Sequence, residues 1–212
     1  MSKKMTGIEL VKFCRTKIGT AYVYGMKGTV MTAANFSYLQ GKYPKFVPHS
    51  DRKKIGRVCV DCSGLIGWAC GIHTNSAGWH ARAIKEKEVY SITSIKKAPV
   101  GALVWHDGHI GVYTGIKNGV PYYVAADGSA YGVREVPISK NNFTHWMLVR
   151  SIFDYKEENE VVTKEKIKIF GKEIECEMIR KDGKVYPYIR DFGEKVGLKI
   201  SNEGKMPVVE KE

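Results

Sequence analysis

Two residue types in this 212-residue chain could carry covalent or proton-transfer chemistry near neutral pH. They are five cysteines (Cys14, Cys59, Cys62, Cys70, Cys176) and six histidines (His49, His73, His80, His106, His109, His145). Cys62 stands apart by its context. It follows Asp61 and opens a run to Cys70 whose apolar residues at 62, 65, 66, 69 and 70 predict a buried helix, with Gly64 and Gly67 suggesting close packing against a neighbour. A thiol in the first helical turn meets unsatisfied N–H groups and the positive end of the helix dipole, which predicts a lowered thiol pKa and a nucleophilic thiolate. Asp61 would cap the helix. Ser63 and the N–H groups after it would offer donors to a developing oxyanion, so Asp61 and Ser63 become candidate substrate-site residues beside Cys62. An inert buried thiol fits the same placement, because free cysteine is among the most buried residue types.

The spacing Cys59-Val60-Asp61-Cys62 also suits a redox pair or half of a zinc site. No second pair follows at ligand spacing, since Cys70, His73 and His80 do not repeat the two-residue gap, and the basic stretch upstream is not a thioredoxin-like strand. No metal and no cofactor is expected. A catalytic thiol needs a base, and His109 is the best placed: His109-Ile110-Gly111-Val112-Tyr113 alternates as a strand and would fix the imidazole on one sheet face. His106 falls on the preceding turn and is expected at an exposed rim. A structural strand histidine is the competing reading for His109.

The elements that must position these residues follow from periodicity. Residues 7–19 predict a helix, 19–25 an extended aromatic turn, 32–43 a second helix ended by Pro44, and 45–54 a basic loop. From Val100, short runs at 102–105, 110–113, 122–126 and 133–138, separated by Asp-Gly and Asn-Gly signals, predict an antiparallel meander. Helices first and a sheet afterwards make an α+β domain over 1–153. A charged linker is expected over 154–163. Residues 164–212 then predict a small β-rich module, with strands at 167–170, 174–178 and 185–189 and a short helix near 191–196.

The net charge of +12 is uneven: residues 151–212 hold 13 basic and 14 acidic side chains, leaving 21 basic against 8 acidic in 1–150. The first part, at +13, is drawn to polyanions, whether nucleic acid, anionic membrane or anionic wall polymer. The basic residues are scattered among loops without a recognition helix or single-strand platform, so no nucleic-acid partner is expected. No apolar run reaches spanning length and no signal-peptide core follows Met1, so neither stable membrane insertion nor a signal peptide is expected and synthesis is expected in the cytoplasm. The odd cysteine set suits reduced thiols.

Three segments together resemble the NlpC-type cysteine peptidases, a papain-like family of bacterial and phage wall hydrolases. Gly19-Thr20-Ala21-Tyr22-Val23-Tyr24-Gly25 is similar to the family's entry motif, Asp61-Cys62-Ser63-Gly64-Leu65-Ile66 to its nucleophile motif, and Gly108-His109-Ile110-Gly111-Val112-Tyr113-Thr114-Gly115 to its histidine strand. The resemblance runs through most of 7–150 and is strongest to phage-encoded, endolysin-like members. It implies a papain-like core of N-terminal helices on an antiparallel sheet, with Cys62 as nucleophile, His109 as base and Tyr22 lining the cleft. It also implies peptidoglycan and its anionic polymers as partners, and action at the wall after release or delivery. An amide bond would be cut, as an endopeptidase in preference to an amidase. A polar residue on the next strand orients the family's histidine. The expected register gives that position to Ala125, leaving Asp127, two residues on and on the same face, as a candidate orienter, a water-mediated site or a turn bystander. The alternative function is a catalytically silent wall- or anion-binding module. Residues 164–212 faintly resemble a small extracellular repeat module, which implies wall binding; dimerisation is the blander reading.

Overall fold

A computed structural model describes residues 4–155, 162–169, 172–181, 184–203 and 206–211. Strand β1 (Met5–Thr6) enters helix α1 (Gly7–Thr16) through a capping box, in which Thr6 Oγ1 accepts from Glu9 N–H and the Glu9 carboxylate accepts from Thr6 N–H. The helix buries Leu10, Val11 and Cys14 and ends at Thr16, short of the expected Gly19, where residues 17–20 close into turns.

Strand β2 (Ala21–Tyr22) is followed by β3 (Lys27–Val30), α2 (Ala33–Lys42), a 3₁₀ turn at His49–Lys54 and β4 (Val58–Val60). Because β2 and β4 pair in parallel, the chain needs a long crossover between them, and residues 23–57 supply it. The crossover has its own small core of Val23, Met26, Met31, Phe36, Leu39, Val47 and Cys59. The stretch read as a basic loop therefore contains a folded turn, with Asp51 and Lys54 inside it.

Helix α3 (Cys62–Cys70) follows β4 directly, with Asp61 as N-cap and left-handed Gly71 as C-cap. Its glycines are there for contact: a Cβ on Gly64 would stand 2.5 Å from the Met26 carbonyl oxygen, and one on Gly67 would stand 2.7 Å from His73 Nδ1. Helix α4 (Ser76–Lys85) and strand β5 (Val89–Ser91) were not expected from the sequence; α4 buries Trp79 and Ala83.

The meander appears as β6 (Leu103–His106), β7 (His109–Lys117), β8 (Val120–Ala126) and β9 (Val133–Pro137). Strand β10 (His145–Met147) inserts between β5 and β6, giving a six-stranded antiparallel sheet in the order β5-β10-β6-β7-β8-β9. Leu10, Leu65, Ile66, Trp79, Val104, Ile110, Val112 and Val124 form the centre of the main core between helices and sheet, so this unit is α+β. Strand β11 (Phe153–Asp154) returns parallel to β1, and buried Tyr155 accepts a hydrogen bond from Val149 N–H at 3.2 Å. Asp154 and Tyr155 thus pack with the first unit, not with the linker expected from 154. The rest of that linker up to residue 161 lies outside the described residues.

The chain divides into two units, residues 1–157 and 158–212. In the second, β12 (Val162–Ile169), β13 (Lys172–Lys181) and β14 (Lys184–Pro187) form an antiparallel sheet, followed by α5 (Ile189–Lys195) and a hairpin of β15 (Leu198–Glu203) and β16 (Met206–Lys211). Strand β13 alternates, burying Cys176 and Met178 and turning Glu173 and Glu175 to water. Among the described residues, no helix is long and apolar enough to cross a membrane.

Candidate active site

The N-terminus of α3 meets strand β7 at Cys62. The thiol is 7% exposed, and the backbone N–H groups of Ile110 and Ser63 both point at it. Asp61 fixes this geometry. Its carboxylate caps the helix by accepting from Gly64 N–H at 2.5 Å, accepts from Gly25 N–H at 2.9 Å and pairs with Lys27 at 2.8 Å. The Ser63 hydroxyl also bonds Asp61, at 3.1 Å. Asp61 and Ser63 are each 4% exposed, so their side chains are spent inward on this network. What Ser63 turns toward the thiol is its backbone N–H.

The expected low thiol pKa is not what this surrounding produces. Burial, followed by the adjacent Asp61 carboxylate, pushes the Cys62 thiol up to about 12, and the two N–H groups and Lys27 only partly offset that. Helix-end donors stabilise a thiolate in proportion to their number, whereas desolvation acts on the whole charge.

His109 begins β7, and Asp127 follows the last residue of β8. Val112 pairs with Val124 in these antiparallel strands, so three steps along the same register His109 stands opposite Asp127. Nε2 of His109 lies 3.0 Å from Asp127 Oδ1. A carboxylate can only accept there, so Nε2 carries the proton and Nδ1 is the basic nitrogen of the neutral ring. The imidazole also stacks on Phe143, at 5.7 Å with 16° between planes. By the same register Ala125 lies opposite Gly111, where a Cβ would come within 3.2 Å of the Ala125 methyl. Position 125 is therefore a fully buried packing site, and the carboxylate that meets His109 comes from Asp127, two residues on.

Asp127 is itself held by groups that sequence reasoning did not single out. Tyr123 donates its hydroxyl to Oδ2 at 2.7 Å, and Arg134 Nε donates to the same oxygen at 2.6 Å. Burial would raise the Asp127 pKa, but the hydrogen bonds from His109, Tyr123 and Arg134 outweigh it and leave the pKa lowered. Tyr123 shares the parity of Asp127 along β8, a signal available in the sequence; Arg134, across the sheet on β9, left none. Nor is His106 a bare rim residue: its Nε2 lies 3.1 Å from Asn141 Oδ1, and Asn141 reaches the Tyr123 hydroxyl at 3.4 Å.

Tyr22 ends β2 beside this cluster. Burial, then the charges of Cys62 and Asp61, raise its hydroxyl pKa, which fits a ring bordering the nucleophile. Its carbonyl accepts from Lys54 Nζ at 2.7 Å. The same ammonium reaches Asp51 at 2.6 Å, the Ser129 hydroxyl at 2.7 Å and the Ser129 carbonyl at 2.9 Å, and Ser129 also donates to Asp51. Lys54 thus ties the Tyr22 side of the site to the turn that carries Asp127. Cys59, the other half of the Cys-x-x-Cys spacing, faces the crossover core, while Cys62 faces the main core; both are free thiols. Among the described residues no group of three or more His, Cys, Asp or Glu side chains is arranged to hold a metal.

No protein-family model matches the chain, and no curated protein matches it. Solved structures similar to it include the P60 domain of antigen MAP1204 from M. avium subspecies paratuberculosis, at 19% identity and a TM-score of 0.44, covering 68% of this chain and 94% of that one. NlpC1 from Trichomonas vaginalis is similar at 18% identity and a TM-score of 0.40, covering 66% of this chain and 43% of its own.

Proposed function

We propose that the protein is a cysteine hydrolase that cleaves an amide bond of bacterial cell-wall peptidoglycan, as an endopeptidase in preference to an amidase. The observation that carries this reading is the His109–Asp127 pair, fixed in register on β7 and β8, with the next residue of β7 aiming its N–H at the Cys62 thiol. In this mechanism the resting thiol is neutral. His109 Nδ1 takes its proton as the sulfur attacks the amide carbon, and Asp127 stabilises the imidazolium that forms. The Ser63 N–H, next to the nucleophile, is a backbone donor available to the developing oxyanion. His109 then returns the proton to the leaving amine, and water hydrolyses the thioester. The proposed partners are peptidoglycan and its anionic polymers, attracted by the +13 charge of residues 1–150. The proposed site of action is the wall, reached through release by a membrane pore or delivery on a virion, with residues 158–212 as a wall-binding or dimerising unit.

The test is mass spectrometry of purified walls after digestion. New amino groups on stem-peptide residues identify a peptidase, and lactoyl ends freed of peptide an amidase. Unchanged muropeptides together with wall binding would establish the second reading, a silent wall- or anion-binding module, which draws on the burial and high pKa of Cys62.

A further inference from the structure

The crossover of residues 23–57 displays aromatic rings that its core does not use. Phe46 is 57% and Tyr38 61% exposed. Phe46 is nonetheless held: its N–H and that of the fully buried Val47 both donate to the Tyr43 carbonyl at 2.9 Å. The Phe46 ring is kept outside and lies flat against Tyr24, at 4.8 Å with 20° between planes. Tyr43 meets Tyr24 edge-on at 5.0 Å. Lys42 donates to the Tyr38 hydroxyl at 3.0 Å and stands 5.4 Å from the ring centres of both Tyr38 and Tyr43. An open cavity beside them is lined by Lys42, Tyr43, Pro44, Lys45 and Phe46. No carboxylate borders it, and residues 42–57 hold six Lys or Arg against Asp51 alone, which is buried on Lys54. At its other end the strip approaches the site along the chain, since Tyr24 precedes Gly25, whose N–H donates to the Asp61 carboxylate at 2.9 Å.

Tyr24 and Tyr43 pack partly against the crossover core, but Phe46 and Tyr38 forgo the burial that stabilises a core, and exposed apolar patches mark binding surfaces. The chemistry narrows the ligand. An apolar side chain gains most in an enclosed pocket, whereas this strip is open and edged with ammonium donors. A pyranose ring suits it: one face is a sheet of C–H groups, which the negative faces of aromatic rings attract, and its rim of hydroxyl and amide oxygens accepts from lysines. We infer that the strip from Tyr24 through Phe46 and Tyr43 to Tyr38 is a subsite for the amino-sugar strand of the substrate, with Lys42 and Lys45 donating to its oxygens. The inference rests on the wall-hydrolase reading and names the part of the substrate that lies beyond the scissile amide.

The experiment compares a disaccharide-linked muropeptide with the same stem peptide free of sugar, using the full chain. The wild type is expected to show a KM about fivefold lower on the sugar-linked form, and Phe46→Ser/Tyr38→Ser to bring that ratio to about one while the unfolding midpoint holds. Equal KM values for the wild type, or a ratio the variant retains, would overturn the subsite. An NMR titration of the Cys62→Ala chain with an N-acetylhexosamine tetramer decides the matter without turnover. Ring-proton shifts at Tyr38, Tyr43 and Phe46 support the subsite, and their absence overturns it even if the walls are hydrolysed. Tighter binding of a single-stranded oligonucleotide at the same rings would also overturn it, because bases stack and phosphates pair with lysine there too. Sugar binding with no hydrolysis of either peptide would instead count against the hydrolase reading alone.

Discussion

Removing the Lys54 ammonium should unfold the first unit far more easily than an ordinary surface change would. Asp51 is 1% exposed, its Oδ1 is shared by Lys54 and Ser129, and its Oδ2 has no partner. Lys54→Met leaves that carboxylate buried with a single hydroxyl donor, and breaking a buried pair from one side costs about 3–5 kcal/mol. The Tyr22 and Ser129 carbonyls lose a charged donor as well. Against a typical domain stability of about 5–15 kcal/mol this is a large fraction. Replacing both partners, Lys54→Met/Asp51→Leu, removes the stranded charge and should recover most of the loss. All four tryptophans, Trp68, Trp79, Trp105 and Trp146, lie in the first unit, so fluorescence-detected urea unfolding of the full chain reports that unit by itself. With a slope of about 2 kcal/mol/M, the single variant should lose about 1.5–2.5 M in its midpoint. A loss below about 0.5 M, or a double variant no better than the single one, would refute the reasoning that Lys54 is a buried tie.

Three further outcomes follow from the site. Asp127→Asn should lower turnover by about 100-fold or more, because an amide can turn its N–H toward His109 and no longer stabilises the imidazolium; near wild-type turnover would leave that role to Tyr123 or water. Cys62 should alkylate slowly with iodoacetamide near neutral pH and speed up by about tenfold per pH unit through the alkaline range, since only the thiolate reacts; a plateau in the acidic range would mean a preformed thiolate–imidazolium pair. Burial would raise the Glu135 carboxyl, but its ion pairs with Arg15 and Lys117 outweigh that and hold it down to about 2, below the usual carboxylate value of 4.5. Because the folded value is the lower one, its stabilisation is present above pH 4.5 and fades as pH falls toward 2. The stability difference between Glu135→Gln and the wild type, measured by urea unfolding across that window, should therefore shrink with acid, and a constant difference would contradict the assignment.

Much of this arrangement is legible from local pattern. The run from Cys62 to Cys70 is helical because of its apolar spacing and the Asp61 cap, and the meander is set by alternation between Asp-Gly and Asn-Gly turns. His109 falls at the start of a strand for the same reason. Helix α4 is harder to read, since Trp79 and Ala83 are the only residues it buries, and β10 is three residues long with a register set by its neighbours β5 and β6.

What the sequence by itself determined is which residues could react and which element each stands on, because caps, periodicity and turns act over a few neighbouring residues. Tertiary structure decided which groups meet. The β7–β8 register, not residue type, gives His109 the carboxylate of Asp127 and turns Ala125 into core. The ionisation of Cys62 was likewise beyond local reading: the helix end favours a thiolate, but the sheet packed over it removes the water that would solvate one, and burial is the larger effect. Lys54 and Asp51 look from sequence like members of a charged loop, and only the parallel pairing of β2 with β4 folds that loop inward and sets them beneath the site.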